Sequence, residues 1–174
     1  MQADVEGSLD LDHWVFRPEN EWSADVNFEK VPMESFQGFI ATKYPVEGTL
    51  TGQFHGHGTR EKPAINGLFD LADGKAYGLT FSLLRGQLNA TPDEIRIANA
   101  ELRLFAPGKE KSGAGIVTGS AGYRFADQTV ALDLVGAGLP LERFERLQSP
   151  RMPVGGQMTF RMKASGPART PQGT

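Results

Sequence analysis

The sequence contains no cysteine, which excludes a disulfide scaffold, a thiol nucleophile and a cysteine-type zinc site. It also lacks any run of about 20 apolar residues, the length a membrane-spanning helix requires. Even Leu132–Ala137 is interrupted by Asp133. Met1-Gln2-Ala3-Asp4 has no basic stretch followed by an apolar core, so no signal peptide is read there. Positive charge is not in excess: 18 Lys and Arg stand against 21 Asp and Glu, a net charge of -3. That balance argues against a nucleic-acid partner. Helical periodicity is scarce. What the chain does have is 21 Gly and 11 Pro in 174 residues, with 39% hydrophobic and 22% charged residues. This is globular composition rather than disorder, and it favours many short strands joined by turns.

The dominant period is two. Trp22, Ala24, Val26 and Phe28 alternate with Ser23, Asp25, Asn27 and Glu29. Val46, Leu50 and Phe54 share a face with Gly48, Gly52 and Gly56, opposite Thr51, Gln53, His55 and His57. Ile65, Phe69 and Leu71 follow, then Leu79, Phe81 and Leu83, then Ile95 with Ile97 and Leu102 with Leu104. Phe125 joins Tyr123 ahead of Val130, Leu132 and Leu134, and Met158, Phe160 and Met162 complete the series. One apolar face per strand predicts an antiparallel sheet with one side buried. Turn chemistry at Ala72-Asp73-Gly74, Thr91-Pro92-Asp93 and Ala126-Asp127-Gln128 separates the runs and suggests a meander. Ala106 to Gly113 reads as the longest polar connection. Gly7 to Phe16 reads as strand, with a bulge expected at His13. A chain that starts this way reads as a module cut from a larger protein.

Two short helices are expected, one led by Pro32 and running to Ile40, the other led by Pro140 and running to Leu147. They belong to an internal repeat. With the chain shifted against itself by 108 residues and no gap, residues 24–66 lie on 132–174. Asp25, Pro32, Glu34, Phe36 and Pro45 meet Asp133, Pro140, Glu142, Phe144 and Pro153. Val46, Gly48, Thr51, Gly58 and Pro63 meet Val154, Gly156, Thr159, Gly166 and Pro171. These are ten identities in 43 positions, against about three expected for ordinary composition. A repeat this long implies units that stack on their neighbours. The chain is read as one β module, residues 1–174, within a longer repetitive protein.

The repeated unit runs from Asp25-Val26 through Pro45-Val46-Glu47-Gly48-Thr49-Leu50-Thr51-Gly52-Gln53-Phe54 to Gly58-Thr59, Pro63 and Gly67. Gly115-Ile116-Val117 and Gly119-Ser120-Ala121-Gly122-Tyr123 follow later. This pattern resembles the repeats of the AsmA-like/TamB family of envelope proteins in diderm bacteria, over most of residues 22–171. At Gly166-Pro167-Ala168 the chain departs from the family's usual Gly-Thr. The resemblance implies a long curved antiparallel sheet folded lengthwise into an apolar groove, a β-taco. It further implies a periplasmic location, a full-length protein anchored in the inner membrane, and phospholipid acyl chains as cargo between the two membranes. An outer-membrane β-barrel protein is a further implied partner.

Catalytic motifs are missing from the reading. Gly52–Gly58 matches neither a dinucleotide fingerprint nor a P-loop, and Gly113–Gly119 has no helix behind it. Ser120 lacks the first glycine of a nucleophile elbow. His55 and His57 project from one polar face and are weak metal candidates without a third ligand at a recognisable spacing. No enzyme activity and no cofactor are expected. The groove candidates are Val26, Phe28, Leu50, Phe54, Phe69, Leu79, Phe81, Leu83, Ile95, Ile97, Phe125, Leu132, Leu134, Met158, Phe160 and Met162. The same alternation would fill the core of a closed β-sandwich, so groove and sandwich both stay open. So do two other functions: an interaction module assisting outer-membrane protein assembly or secretion, and an unrelated β-sandwich binding domain.

Overall fold

The structure is a computed structural model. It describes residues 2–9, 17, 19–36, 46–76, 78–106, 109–141, 155–170 and 172–173. Ten strands follow one another: β1 (Gln2–Leu9), β2 (Trp22–Pro32), β3 (Val46–Gly58), β4 (Pro63–Ala76) and β5 (Leu79–Ala90) come first. β6 (Glu94–Ala106), β7 (Lys109–Arg124), β8 (Thr129–Pro140), β9 (Gln157–Pro167) and β10 (Gln172–Gly173) complete them. They form one open sheet in sequence order, each strand antiparallel to the last. The period-two alternation and the turn residues between the runs account for this meander.

The two expected short helices are not seen. The described part of the first is a single 3-10 turn, Met33–Phe36, because β2 continues through Pro32; its remaining positions, 37–40, lie outside the described residues. Most of the second falls at 142–147, outside the described residues, as do His13, Phe144 and Val154. The polar stretch after Ala106 is not a long loop either. Strand β7 begins at Lys109 and is the longest strand, with 16 residues. Backbone pairing with β6 and β8 outweighs the weak strand propensity of its Lys and Gly residues.

Paired residues in adjacent strands share a face, so the register defines rows running across the sheet. One apolar row reads Val26, Phe54, Gly67, Leu88, Ile97, Ala121, Leu132, Ala164 and Gly173. A second reads Val31, Leu50, Leu71, Leu84, Leu102, Val117, Gly136 and Phe160.

A line of bulges crosses the same sheet. The pairing shifts between Phe28 and Val31, Glu47 and Thr49, Phe81 and Leu83, and Gly136 and Leu139. Lys30, Asp73 and Asn99 adopt positive φ values of 51°, 49° and 49°. Bulges bend strands and increase their twist. β5 approaches β7 although β6 lies between them. The core forms there: Leu71, Phe81, Leu104 and Leu139 are 5%, 2%, 1% and 0% exposed. Val46, Leu50, Leu79, Met158 and Phe160 pack against them.

Short hairpins link the strands at the opposite end. There the apolar face stays open, and Ile65 and Ile95 are 41% and 37% exposed.

Candidate functional site

The apolar rows form the candidate site. Along both rows, from β2 to β9, every residue is uncharged. Glycines and rings are paired across it. The Phe54 ring covers Gly67 and Gly52, Trp22 covers Gly56, Phe81 covers Gly74, and Phe160 covers Gly136. A Cβ built on Gly56 would lie 2.8 Å from the Trp22 ring. With no Cβ beneath them the rings lie down along the sheet, which gives a smooth apolar surface of low relief. Phe28 packs edge-to-face on Phe54 and Phe36, with centroids 5.8 and 5.4 Å apart.

Fourteen of the sixteen sequence candidates lie on this face, in two groups. Phe81 is part of the buried core, and Leu50, Leu79, Met158 and Phe160 pack against it. These five help hold the fold; Phe81 is buried and the other four are half-buried. Val26, Phe28, Phe54, Phe69, Ile97, Leu132, Leu134 and Met162 are half-buried and Ile95 is exposed, over the part of the face that no other strand covers.

Leu83 and Phe125 are elsewhere. Leu83 pairs with Ala72 and Arg103, whose neighbours Leu71 and Leu104 are the inward ones, so it faces the polar side. The bulge after Phe81 reverses the alternation and gives Leu84 the apolar position. Phe125 lies in the β7–β8 turn, 48% exposed, against Tyr123. Leu71, Leu84, Leu88, Leu104 and Leu139 belong to the face but not to the sequence candidates. Gly138, with φ 64°, was the available signal for Leu139, since a positive-φ glycine in a strand marks a bulge.

The other face is polar and carries cross-strand ion pairs. Asp25 pairs with His55 at 2.8 Å, Asp70 with Arg85 at 3.1 Å and Asp133 with Lys163 at 3.0 Å. Exposed pairs of this kind contribute about 0–1 kcal/mol each. The His55 and His57 rings stack with centroids 5.1 Å apart, and His57 Nδ1 is buried without a hydrogen-bond partner among the described residues. Among the described residues no three His, Asp or Glu side chains converge as a metal-ligand group.

Asp127 is held below the usual carboxylate range, first by the Thr129 hydroxyl bonded to it, then by the Arg124 guanidinium and the Thr129 amide.

Segments 108 residues apart pair alike. Val26–Phe54 and Val31–Leu50 in β2 and β3 correspond to Leu134–Met162 and Leu139–Met158 in β8 and β9. Lys30 and Gly138 occupy the same bulge, and the Asp25–His55 pair corresponds to Asp133–Lys163. In the same frame Gln172–Ser165 matches Ala64–His57, so β10 takes the register in which β4 begins.

No family model, curated protein or solved structure matches this chain.

Proposed function

We propose that the chain is a non-enzymatic segment of a hydrophobic β-groove that carries phospholipid acyl chains through the periplasm of a diderm bacterium, as its resemblance to AsmA-like/TamB repeats suggests. The observation that carries this reading is the pair of apolar rows that run from β2 to β9 without a charge. Ten strands at about 4.8 Å spacing extend over roughly 43 Å. The hydrocarbon of one bilayer leaflet is about 15 Å deep, half of a core about 30 Å thick. An extended acyl chain therefore lies across about three strand spacings and can pass to the next three without meeting a charge. Each CH₂ removed from water gains about 0.8 kcal/mol, so affinity comes from area, and movement along the groove breaks no hydrogen bond. The paired backbone beneath presents no unsatisfied donor to the lipid.

A photo-crosslinking residue at position 97 or 132 should capture phospholipid in membrane extracts, and one at Thr51, on the polar face, should not. Equal labelling from both faces would overturn the groove.

A further inference from the structure

The polar face carries a feature that the groove does not use. Asparagine is depleted in strands, because its side chain bonds local backbone and favours turns. Yet Asn27, Asn66 and Asn89 stand within β2, β4 and β5. Asn66 lies directly opposite Asn89, and Asn27 opposite Gln53. Gln53 and Gln87 flank Leu68 from its two neighbouring strands. Leu68 is 55% exposed, more than any other large hydrophobic residue among those described. All six line one open depression of about 680 Å³. Gln87 accepts a bond from Asn99 at 3.0 Å, whereas the carboxamides of Asn27, Gln53, Asn66 and Asn89 bond no other protein group among the described residues.

We infer that this depression binds a neutral, hydroxyl-rich polymer, a linear oligosaccharide, across strands β2 to β5. A carboxamide offers donors and an acceptor together, which matches a hydroxyl that both gives and takes a hydrogen bond. Asp25, bonded to His55 at 2.8 Å, also lines the depression; a carboxylate repels a phosphate but accepts from a hydroxyl. Leu68 gives the apolar face of a pyranose ring a place to rest between two glutamines. The side chains recur at the strand spacing of about 4.8 Å, so successive sugars of a linear chain meet successive strands. An extended peptide would present its donors and acceptors in one line, a pattern suited to a strand edge rather than a sheet face.

Calorimetric titration of the whole chain with chitohexaose and with maltohexaose tests the inference. An uncharged alanine–serine hexapeptide serves as the competing class. At least one sugar should bind the native protein, and the double variant Asn66→Thr/Asn89→Thr should weaken that binding at least tenfold. Threonine suits a strand better, so the variant's thermal midpoint should equal or exceed the native one, which separates lost recognition from lost folding. Absence of sugar binding, binding undiminished in the variant, or binding of the peptide alone would overturn the inference. Lipid capture at position 132 reads the opposite face and stands or falls separately.

Discussion

Lys30 holds a left-handed backbone, φ 51°, that Gly138 adopts at the equivalent position of the second segment. For an L-residue that conformation costs roughly 1–2 kcal/mol, partly offset by the entropy a glycine loses on folding. Lys30→Gly should therefore stabilise the protein by up to about 1 kcal/mol, read as a higher urea midpoint at unchanged slope. Gly67 illustrates the opposite constraint. A Cβ there would press into the Phe54 ring and lie 2.6 Å from the Gln53 carbonyl oxygen. The ring can move but the backbone cannot, so Gly67→Ala should cost about 1–3 kcal/mol, as overpacking does.

Asp127 makes a prediction about acid. Its carboxylate accepts bonds from the Thr129 hydroxyl at 2.7 Å and the Thr129 amide at 3.3 Å. A carboxyl whose folded pKa lies below its unfolded value stabilises the fold above the unfolded pKa, and that contribution is lost as pH falls through the folded one. The advantage of the native protein over Asp127→Ala should thus be complete at pH 7 and shrink as pH falls below the usual carboxylate range. Urea midpoints of both proteins at pH 7 and at successively lower pH measure it.

Within a strand, the bulge decides which side chains work together. Leu139 is 0% exposed and Ile65 is 41% exposed, although both lie on the apolar face. Leu139→Ala should cost about 2–5 kcal/mol, the range for a deleted core side chain, whereas Ile65→Ala should stay within about 1 kcal/mol. Paired denaturation curves test the contrast.

The same device explains what the sequence reveals and what it hides. Alternation locates most of the apolar-face residues because unshifted pairing between the bulges preserves it. It misassigns Leu83 because one extra residue after Phe81 exchanges the faces. It misses Leu139 because the period resumes on the other parity after Gly136-Ala137-Gly138. Side-chain period reports pleat, and a bulge is a backbone event that apolar spacing registers only as a phase slip. The short helix led by Pro32 is misread for a related reason: a proline favours the first helical turn but equally suits the end of a strand.

For the molecule as a whole, the long strands and the line of bulges resolve groove against sandwich in one respect: all described strands belong to a single open sheet. Alternation alone is silent on this, because apolar faces look the same whether one sheet curves over them or two sheets meet. The effect of Leu132→Asp belongs to this scale. Leu132 is half-buried on the uncovered part of the face, so its carboxylate can remain partly hydrated. The variant should fold, lose less stability than Leu139→Ala, and extract less phospholipid than the native chain in native mass spectrometry. Outright unfolding would place Leu132 in a closed core.

The 108-residue offset, visible as scattered identities, corresponds in three dimensions to a displacement of six strands, from β2 to β8 and from β3 to β9. At about 4.8 Å per strand this is a rise of roughly 29 Å. With a typical twist of about 20–25° per strand, it is also a rotation of roughly 120–150°. Such a relation is a screw operation. Equivalent points of the two segments face different compass directions, and the apolar path between them winds as a spiral ramp. A lipid following that ramp would turn through more than a third of a revolution in each segment, so its headgroup would leave pointing away from the side on which it entered.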